Sequence, residues 1–233
     1  MSAGTVPLGW SARGAERTPA APASGPVLAA AALLFAGSAT ATVAWCRSMS
    51  AMGGMSMPGG WSMLMAWMRM PDQSWLGAVG SFGGMWVVMM VAMMLPSLVP
   101  ALLRYRATAG VTGGRGTVLV AAGYFSVWTA VGLGAYPVGV ALGALEMRFE
   151  GLARAVPAAV GVVVLCAGLL QLTPWKARLL ACCRDATPPG RVATARAAWR
   201  YGRRLGVRCG LCCAGPTAVL LVVGVMEIGR AHV

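Results

Sequence analysis

"LGAVGSFGGMWVVMMVAMMLPSLVPALL", residues 76–103, runs for 28 positions without one charged side chain. Crossing ~30 Å of hydrocarbon takes ~20 residues at ~1.5 Å each, so this stretch spans a bilayer with residues to spare. Comparable apolar runs occupy residues 26–46, 117–145 and 152–173. A fifth, 214–226, supplies only thirteen residues before the chain turns to "EIGRAHV". The whole chain agrees with this reading. Of its 233 residues 58% are hydrophobic and only 11% charged, and the mean hydropathy is +0.71, outside the range of soluble domains. These features predict an all-α integral membrane protein: a helical bundle with four complete spans and a truncated fifth, and five to six or more spans in the intact protein.

Residues 26–226 then make a single polytopic membrane domain, preceded by a disordered cytoplasmic arm at 1–25. A helix cut off in mid-bilayer would leave carbonyls unsatisfied in lipid. "EIGRAHV" (227–233) also matches the translation of a common sequencing adapter. We therefore expect native sequence to stop near Met226, with His232, the only histidine, outside it.

The net charge of +13 raises nucleic acid as a partner, but the basic residues fall in loops between apolar runs, where the bilayer explains them. Nucleic-acid binding is not expected. Residues 176–208 hold nine Lys/Arg against the single Asp185, and the loop after the second run holds Arg104, Arg106 and Arg115 with no acid, whereas Glu146 and Glu150 cancel Arg148 and Arg154. The positive-inside rule places the N-terminus and the 176–208 segment in the cytoplasm, and residues 47–75 outside, across a bacterial inner membrane. A signal-peptide reading, with Arg13 and Arg17 before Val27–Phe35 and "ATA" at 39–41 as a cleavage site, leaves that loop outside as well. The long arm, and an apolar run that continues past the site, favour an anchor.

The outer loop, "RSMSAMGGMSMPGGWSMLMAWMRM" (47–70), carries eight of the sixteen methionines. Met49, Met52, Met55 and Met57 form one cluster and Met63, Met65, Met68 and Met70 another, on either side of the turn signal "PGG" at 58–60. Thioether is a soft, neutral ligand, and soft sulfur sites select Cu(I). The alternative is adaptable packing beside an interfacial belt of Trp61, Trp67 and Trp75. Within the second run Met85, Met89 and Met93 recur at i, i+4, i+8 and climb one side of a helix; Met90 and Met94 repeat the spacing nearby. Pro96 is expected to kink or break that helix where the ladder ends.

On the cytoplasmic side "RCGLCC" (208–213) provides Cys209, Cys212 and Cys213, and Cys182 with Cys183 lies earlier on the same side. In a reducing compartment these are thiols, able to bind a soft metal. Cys182 and Cys183 read equally as interfacial hydrophobes or lipidation sites. Arg196, Arg200, Arg203 and Arg204 among Ala and Trp199 suggest an interfacial amphipathic helix on an anionic leaflet. No acid lies deep within a run and no G-x-x-x-x-G-K-[ST] loop occurs, so proton-coupled pumping, hydrolysis and NTPase chemistry are not expected.

In these residues the chain resembles a bacterial family of predicted metal-binding integral membrane proteins, domain of unknown function family 2182. The matching stretches are "MSMPGGWSMLMAWMRMPDQSW" (55–75), "MMVAMMLPSLVP" (89–100), "LQLTPWKARLLACCR" (170–184), "AWRYGRRLGVRCGLCC" (198–213) and "GVM" (224–226). The resemblance implies a polytopic metal-binding protein. It also implies a histidine where Leu205 stands here, which leaves a sulfur-only ligand set in this chain.

Together the readings predict a membrane protein, not an enzyme, that binds Cu(I) through the outer methionines. It would transfer the ion along Met85, Met89 and Met93 to the cysteine cluster, with a copper chaperone or copper enzyme as partner, the lipid bilayer around it, and a homo-oligomer open. Two alternatives stand beside this: a metal-free scaffold docking a cytoplasmic protein through the basic 176–208 segment, and a thiol-redox protein using Cys209 and Cys212.

Overall fold

The apolar runs form long helices, two of which begin at a short polar side chain. The computed structural model describes residues 24–51, 55–57, 61–63, 73–109, 113–184 and 194–227. Among these the helices are α1 (Gly25–Ala51), α2 (Trp75–Ala109), α3 (Gly113–Arg148), α4 (Glu150–Gln171), α5 (Pro174–Arg184) and α6 (Ala195–Val225). Every one of them except the short α5 is long and apolar enough to cross a membrane. At the start of α2 the Ser74 hydroxyl accepts the amide of Gly77 (3.1 Å), and at α6 the Thr194 hydroxyl accepts that of Ala197 (3.3 Å). Each satisfies a donor the first helical turn leaves open.

Outward faces are apolar. Leu33, Leu76, Val118, Leu165, Leu169 and Leu172 are all exposed, a surface that suits lipid and would be costly in water.

Two expectations about α6 are corrected. The fifth apolar helix is not the thirteen-residue stub 214–226 but a continuous helix of 31 residues. Its first half is not an amphipathic helix lying on a leaflet: Ala198, Tyr201 and Leu205 are buried in the bundle core. The reason is glycine. A Cβ on Gly123 of α3 would meet the Trp199 carbonyl at 2.5 Å, one on Gly206 would meet the Tyr124 carbonyl at 2.8 Å, and one on Gly202 would collide with the carbonyl of Val120. With no side chains at these positions the two backbones touch, and one side of the Arg-bearing half of α6 is packed into the bundle while its arginines stay on the outward side. Pro96 does not break α2 either, which runs on through Pro96 and Pro100.

At ~1.5 Å per residue α2, α3 and α6 are each ~46–54 Å long, well beyond ~30 Å of hydrocarbon. The excess packs together at the arginine-bearing end. There Ala101, Leu102 and Tyr105 of α2, Val120 of α3, and Ala198 and Tyr201 of α6 are buried, with the Tyr105 and Tyr201 rings 6.1 Å apart. Further along, the Trp86 indole donates to the Trp128 carbonyl (2.8 Å) and its ring covers Gly132, while Phe82 packs on Tyr136 at 4.9 Å. Gly132 is thus used within the chain, as a seat for tryptophan.

The methionine-rich connection adds a feature the sequence reading lacks. Strands β1 (Met55–Met57), β2 (Trp61–Met63) and β3 (Met226–Glu227) form an antiparallel sheet in that order. Met55 pairs with Met63, and Met63 with Met226. The loop between α1 and α2 is thereby joined to the end of α6.

Gly202→Ala is expected to destabilise the protein by ~1–3 kcal/mol through overpacking, seen as a lowered Tm in detergent. Gly134→Ala, where nothing lies within 4 Å of the added carbon, is expected to be neutral or slightly stabilising.

Candidate metal centre

Two helices bring sulfur together at one point in the bundle, and a third adds a hydroxyl. Leu205, Cys209 and Cys213 are spaced four residues apart along α6 and so share one side of it. Leu205 is in the core, and Cys209 and Cys213 pack against it. The Cys209 Sγ stands 3.9 Å from the Cys213 Sγ and 4.0 Å from the Met94 Sδ of α2. From α3 the Tyr124 hydroxyl donates to the Cys209 Sγ at 3.0 Å. The depth of this contact follows from the glycine crossing. Tyr124 and Gly206 meet backbone to backbone, less than one turn before Cys209, so the phenol has little choice of partner. On α2 the Ser97 hydroxyl donates to the Met94 carbonyl at 2.8 Å, on the turn that carries the thioether.

Cys212 turns elsewhere. It is buried, and the ammonium of Lys176, itself buried, donates to its backbone carbonyl. Lys176 reaches this depth because α5 begins at Pro174 directly after α4, with the Thr173 hydroxyl accepting the Lys176 amide at 3.4 Å. The Cys209-x-x-Cys212 spacing suggests a knuckle that closes on one ion. In an uninterrupted helix the close thiol pair is Cys209 with Cys213. Cys182 and Cys183 fall at the end of α5, and their side chains lie outside the described residues. Cys46 and Cys166 are exposed thiols far along the chain from this cluster.

The methionines of α2 divide in a way the ladder reading misses. Met85 and Met89 are partly buried against the core, but Met93 is exposed. Met85, Met89 and Met93 each stand one residue before the packed row Trp86, Met90 and Met94, ~100° round the helix, so they flank the core and do not face it. Met90 is fully buried and Met94 packs on the core, so the row that reaches the thiols is Met90–Met94. The stripe Ala78, Phe82, Trp86, Met90, Leu98 would have identified that face from the sequence, since its members recur every four or eight residues. Tyr124 and Lys176 were missed as well. Each is a polar group within or beside an apolar run, the kind that must find a partner inside a bundle.

Of the outer set, Met49 ends α1 half-buried. Met55, Met57 and Met63 are placed by strand register only, and Met52, Met65, Met68 and Met70 lie outside the described residues. Among the described residues no three or more His, Cys, Asp or Glu side chains converge as a metal site. The cluster on α6 has two thiols, and its third soft atom is a thioether.

Such a set fits a soft ion. A metal–sulfur bond of ~2.3 Å puts the sulfurs of a three-coordinate site ~4.0 Å apart, the separation of Cys209 from both Cys213 and Met94. Two thiolates and a thioether have the softness that selects Cu(I) over harder ions.

A family model described as PpoB2, copper chaperone, matches residues 83–232. No curated protein and no solved structure matches the chain. The matched segment contains Met94, Tyr124, Lys176 and all three α6 cysteines.

Met94→Leu conserves volume and should cost less than ~1.5 kcal/mol of stability, yet it is expected to weaken Cu(I) binding at least tenfold in competition with a chromophoric Cu(I) chelator. Met93→Leu should leave that affinity within twofold.

Proposed function

Because the chain belongs to the PpoB2 family of copper chaperones, we propose that it binds Cu(I) at Cys209, Cys213 and Met94 and passes the ion between this centre and a methionine-rich site at the far end of α6. The single observation that carries the reading is the sulfur cluster, in which Cys213 and Met94 stand 3.9 and 4.0 Å from Cys209 inside a packed bundle.

Charge supports it. Two thiolates with one Cu(I) leave a net charge of about −1, which a low-dielectric interior accepts only if compensated. The Lys176 ammonium, bonded one residue away from Cys213 at the Cys212 carbonyl, supplies the missing positive charge. Tyr124 adds an O–H donor to one thiolate. Such a bond withdraws electron density from sulfur and keeps the metal exchangeable, as a carrier requires.

The second site is the outer loop. The register Met55–Met63–Met226 sets three methionines in one row of the sheet, and neutral thioethers hold Cu(I) without deprotonation. Residues 209 and 226 are separated by ~25 Å of helical rise, so one helix joins both ends of the route. Met90, buried beside Met94 on α2, offers a further soft atom along the way. By the distribution of Lys and Arg the α6 cysteines lie toward the cytoplasm and the methionine row faces outside, across a bacterial inner membrane. The ion is cargo, and the reading assigns no catalytic step to either site. A copper enzyme or a second chaperone is the class of partner this cargo implies.

The test is copper retention by the full chain in detergent after Cu(I) loading under reducing conditions and desalting. Wild type should hold about one Cu(I) per site. Cys209→Ser with Cys213→Ser should lose the tighter fraction, and Met→Leu throughout 49–70 the weaker. Retention unchanged in the double serine variant would rule out the α6 centre, and no bound copper in wild type would remove the reading altogether.

A further inference from the structure

The first half of α6 presents a second feature that copper binding does not use. Arg200, Arg203, Arg204, Val207 and Arg208 line one concavity of about 490 Å³ on the side of the helix turned away from α3. Residues 200, 204 and 208 lie at successive i+4 steps, ~6 Å apart in rise, so the guanidinium groups form a strip ~12 Å long. All four arginines are exposed. Among the described residues the ion pair is Arg154 with Glu150 on α4, so these four arginines have no described carboxylate partner. Val207 is exposed within the strip, and one turn past Arg208 the same side of the helix continues into apolar surface at exposed Leu211.

We propose that this concavity binds an anionic phospholipid: its phosphate on Arg200, Arg203, Arg204 and Arg208, its acyl chains along Val207, Leu211 and the apolar flank of α6. The order of the side chains points to lipid. A cationic strip alone would suit any anion, but here charge gives way to exposed apolar surface along a single helix, which is the sequence of chemistries a lipid presents from headgroup to chain. Guanidinium is suited to the headgroup, since its planar fork holds phosphate in bidentate fashion and is less strongly hydrated than an ammonium. The opposite side of the same helix is fixed on α3 by Gly123, Gly202 and Gly206, so the strip is held rigid before any lipid arrives and little ordering cost is incurred on binding. This inference is independent of the copper reading.

The experiment uses the full chain in detergent without copper. Native mass spectrometry is recorded with dioleoyl-phosphatidylglycerol and dioleoyl-phosphatidylcholine offered in equal amounts, alongside thermal unfolding with each lipid and with inorganic phosphate alone. Wild type is expected to retain phosphatidylglycerol at least tenfold over phosphatidylcholine and to gain several degrees in Tm with it, whereas millimolar phosphate gives neither effect. Arg200, Arg203, Arg204 and Arg208 changed together to Gln should abolish the preference, and the same four changed to Lys should restore part of it. Equal retention of the two lipids by wild type would overturn the proposal without recourse to any variant. So would a Tm shift reproduced by phosphate alone, which points to a free-anion site. Displacement of bound phosphatidylglycerol by neither excess lipid nor high salt, but by a poly-glutamate peptide, would instead assign the strip to an acidic protein and overturn the proposal.

Discussion

The glycine-mediated crossing of α3 and α6 is the constraint on which the rest depends. Gly123, Gly202 and Gly206 let two backbones meet where any side chain would hold them apart. That contact sets the height and rotation of α6, and with them the positions of Cys209 and Cys213 relative to Tyr124 on α3 and Met94 on α2. It also fixes the outward side of the same helix, where the arginines stand. In a bilayer, where apolar side chains gain little by leaving lipid for one another, close backbone packing of this kind is a main source of helix association. The sulfur cluster and the basic strip are therefore two sides of one rigid element, and loosening the crossing would degrade both.

The centre itself combines features costly in isolation. Buried thiolates need compensating charge. A buried lysine needs an acceptor, and Lys176 has one in the Cys212 carbonyl. A phenol inside an apolar helix needs a partner, and Tyr124 has the Cys209 sulfur. Each group answers another's requirement, which accounts for a lysine and a tyrosine packed inside the bundle. In the proposed copper-binding role softness would select the cargo and electrostatics would make the loaded site tolerable.

Much of the fold was legible because hydrophobic runs of more than twenty residues have few alternatives to helix in a membrane. Residues 76–103 and 152–173 fall almost entirely within α2 and α4. The fifth helix was misread because its first half is arginine-rich, and composition read as a surface preference hid the small-residue stripe Ala198, Gly202, Gly206 that packs on α3. The site was legible in its ingredients and not in its pairing. Cysteine on α6 and methionine on α2 stood out by softness and number, but choosing Met94 over Met93, and Cys213 over Cys212, depends on helix rotation. A step of one residue turns a side chain by ~100°. The pairing of Met63 with Met226 joins positions far apart in the chain and leaves no local signal at all.

The most direct test of the central claim is X-ray absorption at the copper edge on the full chain, loaded with one Cu(I), with the eight methionines of 49–70 changed to Leu so that only the buried centre is populated. The account predicts a shell of three sulfurs at ~2.3 Å, falling to two on Met94→Leu. A shell containing nitrogen or oxygen, or one unaltered by Cys209→Ser with Cys213→Ser, would contradict it.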